Sequence, residues 1–251
     1  MTRKADHAWL FARPIAHRGL HDARRLIVEN SLAAARAAIV PRYGVECDVQ
    51  MTRDEEVFVF HDDALDRLTL ASGRVADIDA RTMSILAFRG GDGSPPTLAA
   101  FLAEIDGRVP VVIEIKSRFD GDMRLADRTA AIAGKFAGSV ALKSFDPAII
   151  AHLRKTGCRL PLGIVAEARY DHAEWAGLSA QTRRDLAALS HLGETKPDFL
   201  SWCVNDLPHT AVTLCRHGLG LPVMTWTVRT PAQRLTAATY ADQIVFEGFL
   251  P

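Results

Sequence analysis

Gly44-Val45-Glu46-Cys47-Asp48-Val49-Gln50-Met51-Thr52-Arg53-Asp54-Glu55-Glu56-Val57-Phe58-Val59-Phe60-His61-Asp62 is the stretch on which the fold turns. It holds two apolar runs, Val45–Val49 and Val57–Phe60, joined by the polar residues Thr52–Glu56. A crossover between parallel strands needs roughly a dozen residues. This connection is far shorter, so the two runs are expected to pair as an antiparallel hairpin. Glu46 and Asp48 occupy alternate positions of the first run, and alternate side chains of a strand share a face. One strand therefore sends two acids in a single direction.

Seven further apolar runs surround this pair: Pro14–His17, Val111–Lys116, Val140–Ser144, Leu162–Val165, Phe199–Trp202, Val223–Val228 and Gln243–Phe246. Between most runs lie Ala- and Leu-rich stretches with helical spacing: Ser31–Ile39, Leu98–Ile105, Met123–Phe136, Pro147–Arg154, Pro208–Arg216 and Pro231–Tyr240. Strands alternating with such stretches indicate βα units and a parallel sheet. With Val45–Val49 the strands number eight, and a chain of 251 residues matches the roughly 250 of a TIM barrel. The predicted class is α/β, a (β/α)8 barrel with the hairpin lying outside the barrel count after strand 2. Asn30 or Ser31, Thr97 and Asp146-Pro147 are expected to start helices. The long segment 63–96, ending Gly90-Gly91-Asp92-Gly93-Ser94-Pro95-Pro96, reads as a small insertion before strand 3. No linker or second core is visible, so residues 1–251 are read as one domain.

Composition narrows the function classes. Apolar residues make up 48% and charged residues 24%, with zero formal net charge. That suits a globular enzyme with a substantial core and argues against nucleic acid as a partner. Cys47, Cys158, Cys203 and Cys215 form no CxxC pair, as expected of reduced thiols in a cytoplasmic protein. The N-terminus lacks the apolar core of a signal peptide. No apolar run reaches the roughly 18 residues of a membrane span.

Three strand ends carry charge where a bland barrel core would carry Val or Ile: His17-Arg18, Glu46-Cys47-Asp48 and Glu114-Ile115-Lys116. Buried carboxylates need a cation. Three of them converging from neighbouring strands suit one hard divalent ion, Mg2+ or Ca2+. Arg18 and Lys116 neutralising the same acids in a structural ion-pair network is the competing reading. His17 and His61, at the ends of a strand and of the hairpin, can supply a general acid and a general base. Lys143 sits inside a short strand. It either faces the mouth beside Lys116 near the ligand, or points outward with its head in water. Trp226 and, one strand earlier, Trp202 either wall the pocket or are plain core.

The runs Ala16-His17-Arg18-Gly19, Glu29-Asn30-Ser31, Gly44–Asp54 and Val59-Phe60-His61-Asp62 together resemble the glycerophosphodiester phosphodiesterase family. Pro96-Thr97-Leu98, Glu114-Ile115-Lys116, Ser144-Phe145-Asp146 and Trp226-Thr227-Val228 resemble its later motifs. The resemblance implies a barrel with an insertion after the hairpin, acting on a small glycerophosphodiester. It implies Glu46, Asp48 and Glu114 as ligands of one divalent ion and His17 and His61 as the acid–base pair. Arg18 and Lys116 would touch phosphate, and the reaction would pass through a cyclic phosphate. The chain departs from the pattern at Val28, where Pro is usual, at Arg229, where Asn is usual, and at Phe246-Glu247, where Thr-Asp is usual. Competing functions are a related lyase that releases the cyclic phosphate, and a non-catalytic phosphodiester-binding barrel. Oligomeric state is not legible.

Overall fold

The computed structural model describes residues 7–251. The start of the N-terminus, read above for a signal peptide, lies outside the described residues. Nine strands form one sheet: β1 Ile15–Ala16, β2 Gly44–Met51, β3 Val57–Val59, β4 Val111–Ile115, β5 Val140–Ser144, β6 Leu162–Ala166, β7 Phe199–Cys203, β8 Val223–Val228 and β9 Gln243–Phe246. All neighbours pair in parallel except β2 and β3, whose antiparallel register sets Val49 opposite Val59. β1 pairs with both β9 and β2, so the eight parallel strands close on themselves. This is the predicted (β/α)8 barrel, with the hairpin strand β3 attached outside it. The closing strand β1 spans two residues, because the chain turns away at once through Arg18 and Gly19.

Alternation along each strand divides apolar from polar. Val45, Cys47 and Val49 of β2, Val111, Ile113 and Ile115 of β4, and Val140 and Leu142 of β5 belong to the large cluster beneath the helices. The intervening residues point into the barrel. At its lower end Ile15, Val112, Ala141, Phe199, Met224 and Val245 pack together, sealed by Leu10 from the N-terminal segment. Glu46 is level with Val112 in the β2–β4 register. One step nearer the C-terminal ends, Asp48 pairs with Glu114 and Glu114 with Lys143. An apolar floor thus supports a charged layer at the end of the barrel where such folds place their sites.

The helices are α1 Leu32–Ile39, α2 Ala80–Ser84, α3 Leu98–Ile105, α4 Arg124–Ala133, α5 Pro147–Lys155, α6 Ala180–Ala187, α7 Leu192–Thr195, α8 Thr210–Thr213 and α9 Pro231–Tyr240. Ser31, Thr97 and Asp146 cap α1, α3 and α5 through side-chain acceptors. Asn30, the other candidate cap for α1, has a different task at the site. The stretch expected to be helical from Pro208 begins at Thr210 and passes after one turn into a π-type turn, Leu214–Gly218. Residues 63–96 hold α2, and their Leu65, Leu68, Val75 and Met83 pack with Phe58 and Phe60 of the hairpin. Among the described residues no helix is long and apolar enough to cross a membrane.

Candidate active site

Oxygens of Glu46, Asp48 and Glu114 lie within 4.8 Å of one another. All three side chains are buried, as β2 and β4 demand. Lys116 Nζ reaches Asp48 Oδ1 at 2.7 Å and Glu114 Oε1 at 2.5 Å. Lys143 Nζ lies 3.0 Å from Glu46 Oε1 and 3.1 Å from Glu114 Oε2. Lys143 therefore points inward, and its ammonium meets carboxylates rather than water. Burial alone would raise the carboxyls of Asp48 and Glu114. For Asp48 burial is outweighed only by its basic neighbours together, Lys116 first and then His61, Arg18 and His17, which hold it well below the usual range. Lys116 and Lys143 bring Glu114 down to about 2. The same acids raise both lysines against the effect of their own burial.

Asn30 fixes Asp48 from behind. Its amide donates to Asp48 Oδ2 at 2.9 Å, and its carbonyl accepts from the Asp48 backbone N–H at 3.3 Å. Arg18 binds Glu29 at 2.7 Å and approaches Asp48 at 3.4 Å. Its backbone N–H donates to Glu46. The turn that brings it there needs positive φ at Arg18 (55°) and Gly19 (76°). A Cβ on Gly19 would lie 2.8 Å from that of Ala34, so only glycine lets the turn press against α1.

The donor set fits a divalent cation. Its atoms are hard oxygens of three carboxylates from two neighbouring strands, held rigidly and close together. Glu46 Oε1 is buried without a well-directed hydrogen bond, even with Lys143 beside it. A carboxylate oxygen left so is costly unless a further cation can reach it. The ion-pair network and the metal reading thus share one geometry, since the lysines contact two of the acids from one side each.

His17 and His61 flank this layer, and each is anchored by a carboxylate. His17 Nδ1 meets Glu247 Oε2 at 2.6 Å. His61 Nδ1 meets Asp62 Oδ1 at 2.7 Å. Arg229 binds the other oxygen of Glu247 at 2.6 Å. Arg67 binds Asp62 at 2.6 Å and also grips Glu29 with two hydrogen bonds. An acceptor at Nδ1 fixes the tautomer and leaves Nε2 as the working nitrogen. Burial would raise Glu247, but hydrogen bonds from His17, His21 and Arg229 hold it far below the usual range. His21 Nε2 lies 3.7 Å from the same carboxylate.

His17, Arg18, Asp48, His61, Glu114, Lys116, Lys143 and Trp226 line a single cavity of about 230 Å³. Glu46 lies beneath it, fully buried. Trp202 does not reach the cavity. It is fully buried and stacks on His209, as plain core. Sequence reasoning missed Glu29, Asp62, Arg67 and Glu247 as partners of the basic residues. It also missed Glu167, His172 and Trp175, which line the same cavity from the segment after β6. Glu247 and Asp62 carried a signal, since each follows a strand end or a candidate histidine. The β6 segment carried none.

The family model described as "Glycerophosphoryl diester phosphodiesterase family" matches residues 17–246. A Bacillus subtilis (strain 168) relative, YhdW, named a glycerophosphodiester phosphodiesterase, is 29% identical over 214 residues, covering 76% of this chain and 86% of its own. A Bos taurus glycerophosphodiester phosphodiesterase is 29% identical over 199 residues, covering 75% of this chain and 54% of its own. In fold, the chain is similar to an Oleispira antarctica phosphodiesterase solved with the product sn-glycerol-3-phosphate. The TM-score there is 0.76 at 18% identity, covering 93% and 92% of the two chains. A Thermotoga maritima glycerophosphodiester phosphodiesterase gives 0.71 at 22%, covering 93% and 94%. With the family match running from the first catalytic candidate, His17, to the last barrel strand, the chain belongs to the glycerophosphoryl diester phosphodiesterase family.

Proposed function

We propose that the chain hydrolyses a glycerophosphodiester to glycerol phosphate and an alcohol, with His17 and His61 as the acid–base pair. The observation that carries this reading is the pair of carboxylate-anchored imidazoles beside one cavity, above three clustered acids. Glu46, Asp48 and Glu114 would hold one divalent ion, Mg2+ or Ca2+. Bound there, it would neutralise phosphodiester charge, which otherwise repels a nucleophile. Arg18 and Lys116 orient the phosphate, Lys143 supports it from the layer below, and Trp226 walls the cavity.

The chain's own groups then move protons. One imidazole removes the proton of a free glycerol hydroxyl, whose oxygen attacks phosphorus. The other protonates the departing alkoxide, so an alcohol leaves and a cyclic phosphate remains. In the second half the roles reverse, and a water opens the ring to glycerol phosphate. One domain spanning 1–251 would carry the whole reaction. Its four free cysteines suit a cytoplasmic setting.

The test is release of glycerol phosphate from glycerophosphocholine, with Mg2+ or Ca2+ and with chelator, by wild type, His17→Ala and His61→Ala. Either histidine variant should lose about 10²- to 10⁴-fold in kcat. Turnover that survives both substitutions, or full activity in chelator, contradicts the reading.

A further inference from the structure

Glu247 Oε2 faces two imidazoles. His17 Nδ1 approaches it to 2.6 Å and His21 Nε2 to 3.7 Å. Positive φ at Arg18 and Gly19 folds the segment after β1 so that both histidines, four residues apart, meet the residue that follows β9. Ligand atoms of His17, His21 and Glu247 lie within 4.8 Å of one another, a cluster separate from the three acids of the barrel layer. Arg229 holds the other oxygen of Glu247 at 2.6 Å and orients the carboxylate. His21 Nε2 is buried, and beyond its loose approach to Glu247 it has no hydrogen-bond partner. A buried ring nitrogen left so is costly unless something meets it.

Two imidazoles and one carboxylate are the donors of a His2Glu zinc site. Tetrahedral bonds of about 2.0–2.1 Å set such donors about 3.4 Å apart. The observed 2.6 and 3.7 Å straddle that spacing. An ion would enter by widening one contact and tightening the other, each by less than about 1 Å. Hard Mg2+ and Ca2+ prefer oxygen donors, while imidazole suits borderline ions such as Zn2+. The two clusters thus sort cations by their chemistry.

We propose that His17 Nδ1, His21 Nε2 and Glu247 form an inhibitory site for Zn2+ or a similar borderline divalent ion, with water as the fourth ligand. On binding, the proton of His17 moves from Nδ1 to Nε2, and Glu247 exchanges a hydrogen bond for a metal bond. Nε2 then carries a proton and no free lone pair, so His17 cannot take a proton from a hydroxyl or from water. The effect on turnover rests on the acid–base reading above, whereas the binding does not.

The experiment titrates Zn2+ into the enzyme at saturating Mg2+, following glycerophosphocholine hydrolysis and X-ray absorption at the zinc edge. Saturating Zn2+ should suppress turnover by about 10²- to 10⁴-fold, and further Mg2+ should not relieve it. The bound ion should show two imidazoles at about 2.0–2.1 Å. His21→Gln keeps a polar side chain of similar reach but no ring nitrogen. Measured against the variant's own zinc-free rate, half inhibition should need at least about 10-fold more Zn2+, the loss expected even of a residue that only orients a ligand. Turnover indifferent to Zn2+, relief by Mg2+, an all-oxygen shell, or unchanged half inhibition in His21→Gln overturns the inference. So does a sulfur ligand at about 2.3 Å, which would place the ion at Cys203 beside Glu167 and Asp206. If the protein cleaves no glycerophosphodiester, the hydrolase reading falls and the wild-type absorption spectrum alone decides the site. The same spectrum decides it if His21→Gln fails to fold.

Discussion

His17 and Glu247 stand 230 residues apart in sequence, yet Nδ1 of the first meets Oε2 of the second at 2.6 Å. The contact exists because β1 and β9 are neighbours at the closure of the barrel, setting Ala16 opposite Phe246. Each strand's next residue enters the mouth. Arg229, following β8, clamps the second oxygen of Glu247. The two positions where the chain departs from its family's usual Asn and Asp thus form one ion pair behind a catalytic candidate.

Glu247→Gln should lower kcat by about 10- to 100-fold, within the range that general acid–base catalysis contributes. The amide can still reach Nδ1, but it no longer stabilises an imidazolium. KM should move little, since Glu247 contacts the histidine and not the phosphate. The pH–rate profile should shift with it. A profile and kcat matching wild type would remove Glu247 from the account.

Lys143→Met takes the ammonium from between Glu46 and Glu114, leaving buried carboxylates facing each other. Breaking a buried pair in this way costs about 3–5 kcal/mol, read as a lower Tm in chelator. Added Mg2+ or Ca2+ should recover more of the loss in the variant than it adds to wild type. kcat/KM should also fall. Unchanged Tm, KM and kcat would return Lys143 to the background.

Acid should weaken the fold through the same layer. Glu114 is lowered to about 2 from an ordinary 4.5, and Asp48 is lowered from 3.8. A depressed carboxyl contributes stability that is complete above its unfolded value and lost as pH falls through its folded one. Thermal unfolding in chelator should be flat just above about pH 5 and decline steeply from there toward pH 2. The lysines act oppositely. Their raised values contribute stability that is complete below the ordinary 10.5 and is lost as pH rises beyond it. Glu114→Gln and Asp48→Asn should each flatten the acid limb, and an unaltered limb in both would refute the assignment.

Gly19→Ala should destabilise by about 1–3 kcal/mol, because the new Cβ meets Ala34 at 2.8 Å in a left-handed backbone. Chemical denaturation measures it directly. A neutral result would mean that the His17–Gly19 turn can shift away from α1.

The barrel was legible because each inner strand is a short apolar run, bounded by residues that cap or break. The charged layer was legible because Glu46, Asp48, Glu114 and Lys143 interrupt those runs at alternating positions. Helix α6 was not, since Ala180–Ala187 buries only Leu186 and shows no apolar stripe. Asn30 read as a possible cap because Asn suits that position, but Ser31 fills it and frees Asn30 to hold Asp48. Glu247 was visible as a departure from the family, while its purpose depended on which strands close the barrel. Trp175 and Glu174 were hidden for a similar reason, as they reach the cavity from a single short 3-10 turn, Ala173–Trp175, too short to show periodicity.

The central claim is that three carboxylates from two strands share one divalent ion next to the bound ester. Diffraction from crystals soaked with Ca2+ and glycerol phosphate tests it most directly. The account predicts one ion coordinated by an oxygen of each of Glu46, Asp48 and Glu114 at about 2.3–2.6 Å, with phosphate between the rings of His17 and His61. An ion bound elsewhere, or those acids still occupied only by Lys116 and Lys143 at saturating Ca2+, would contradict it.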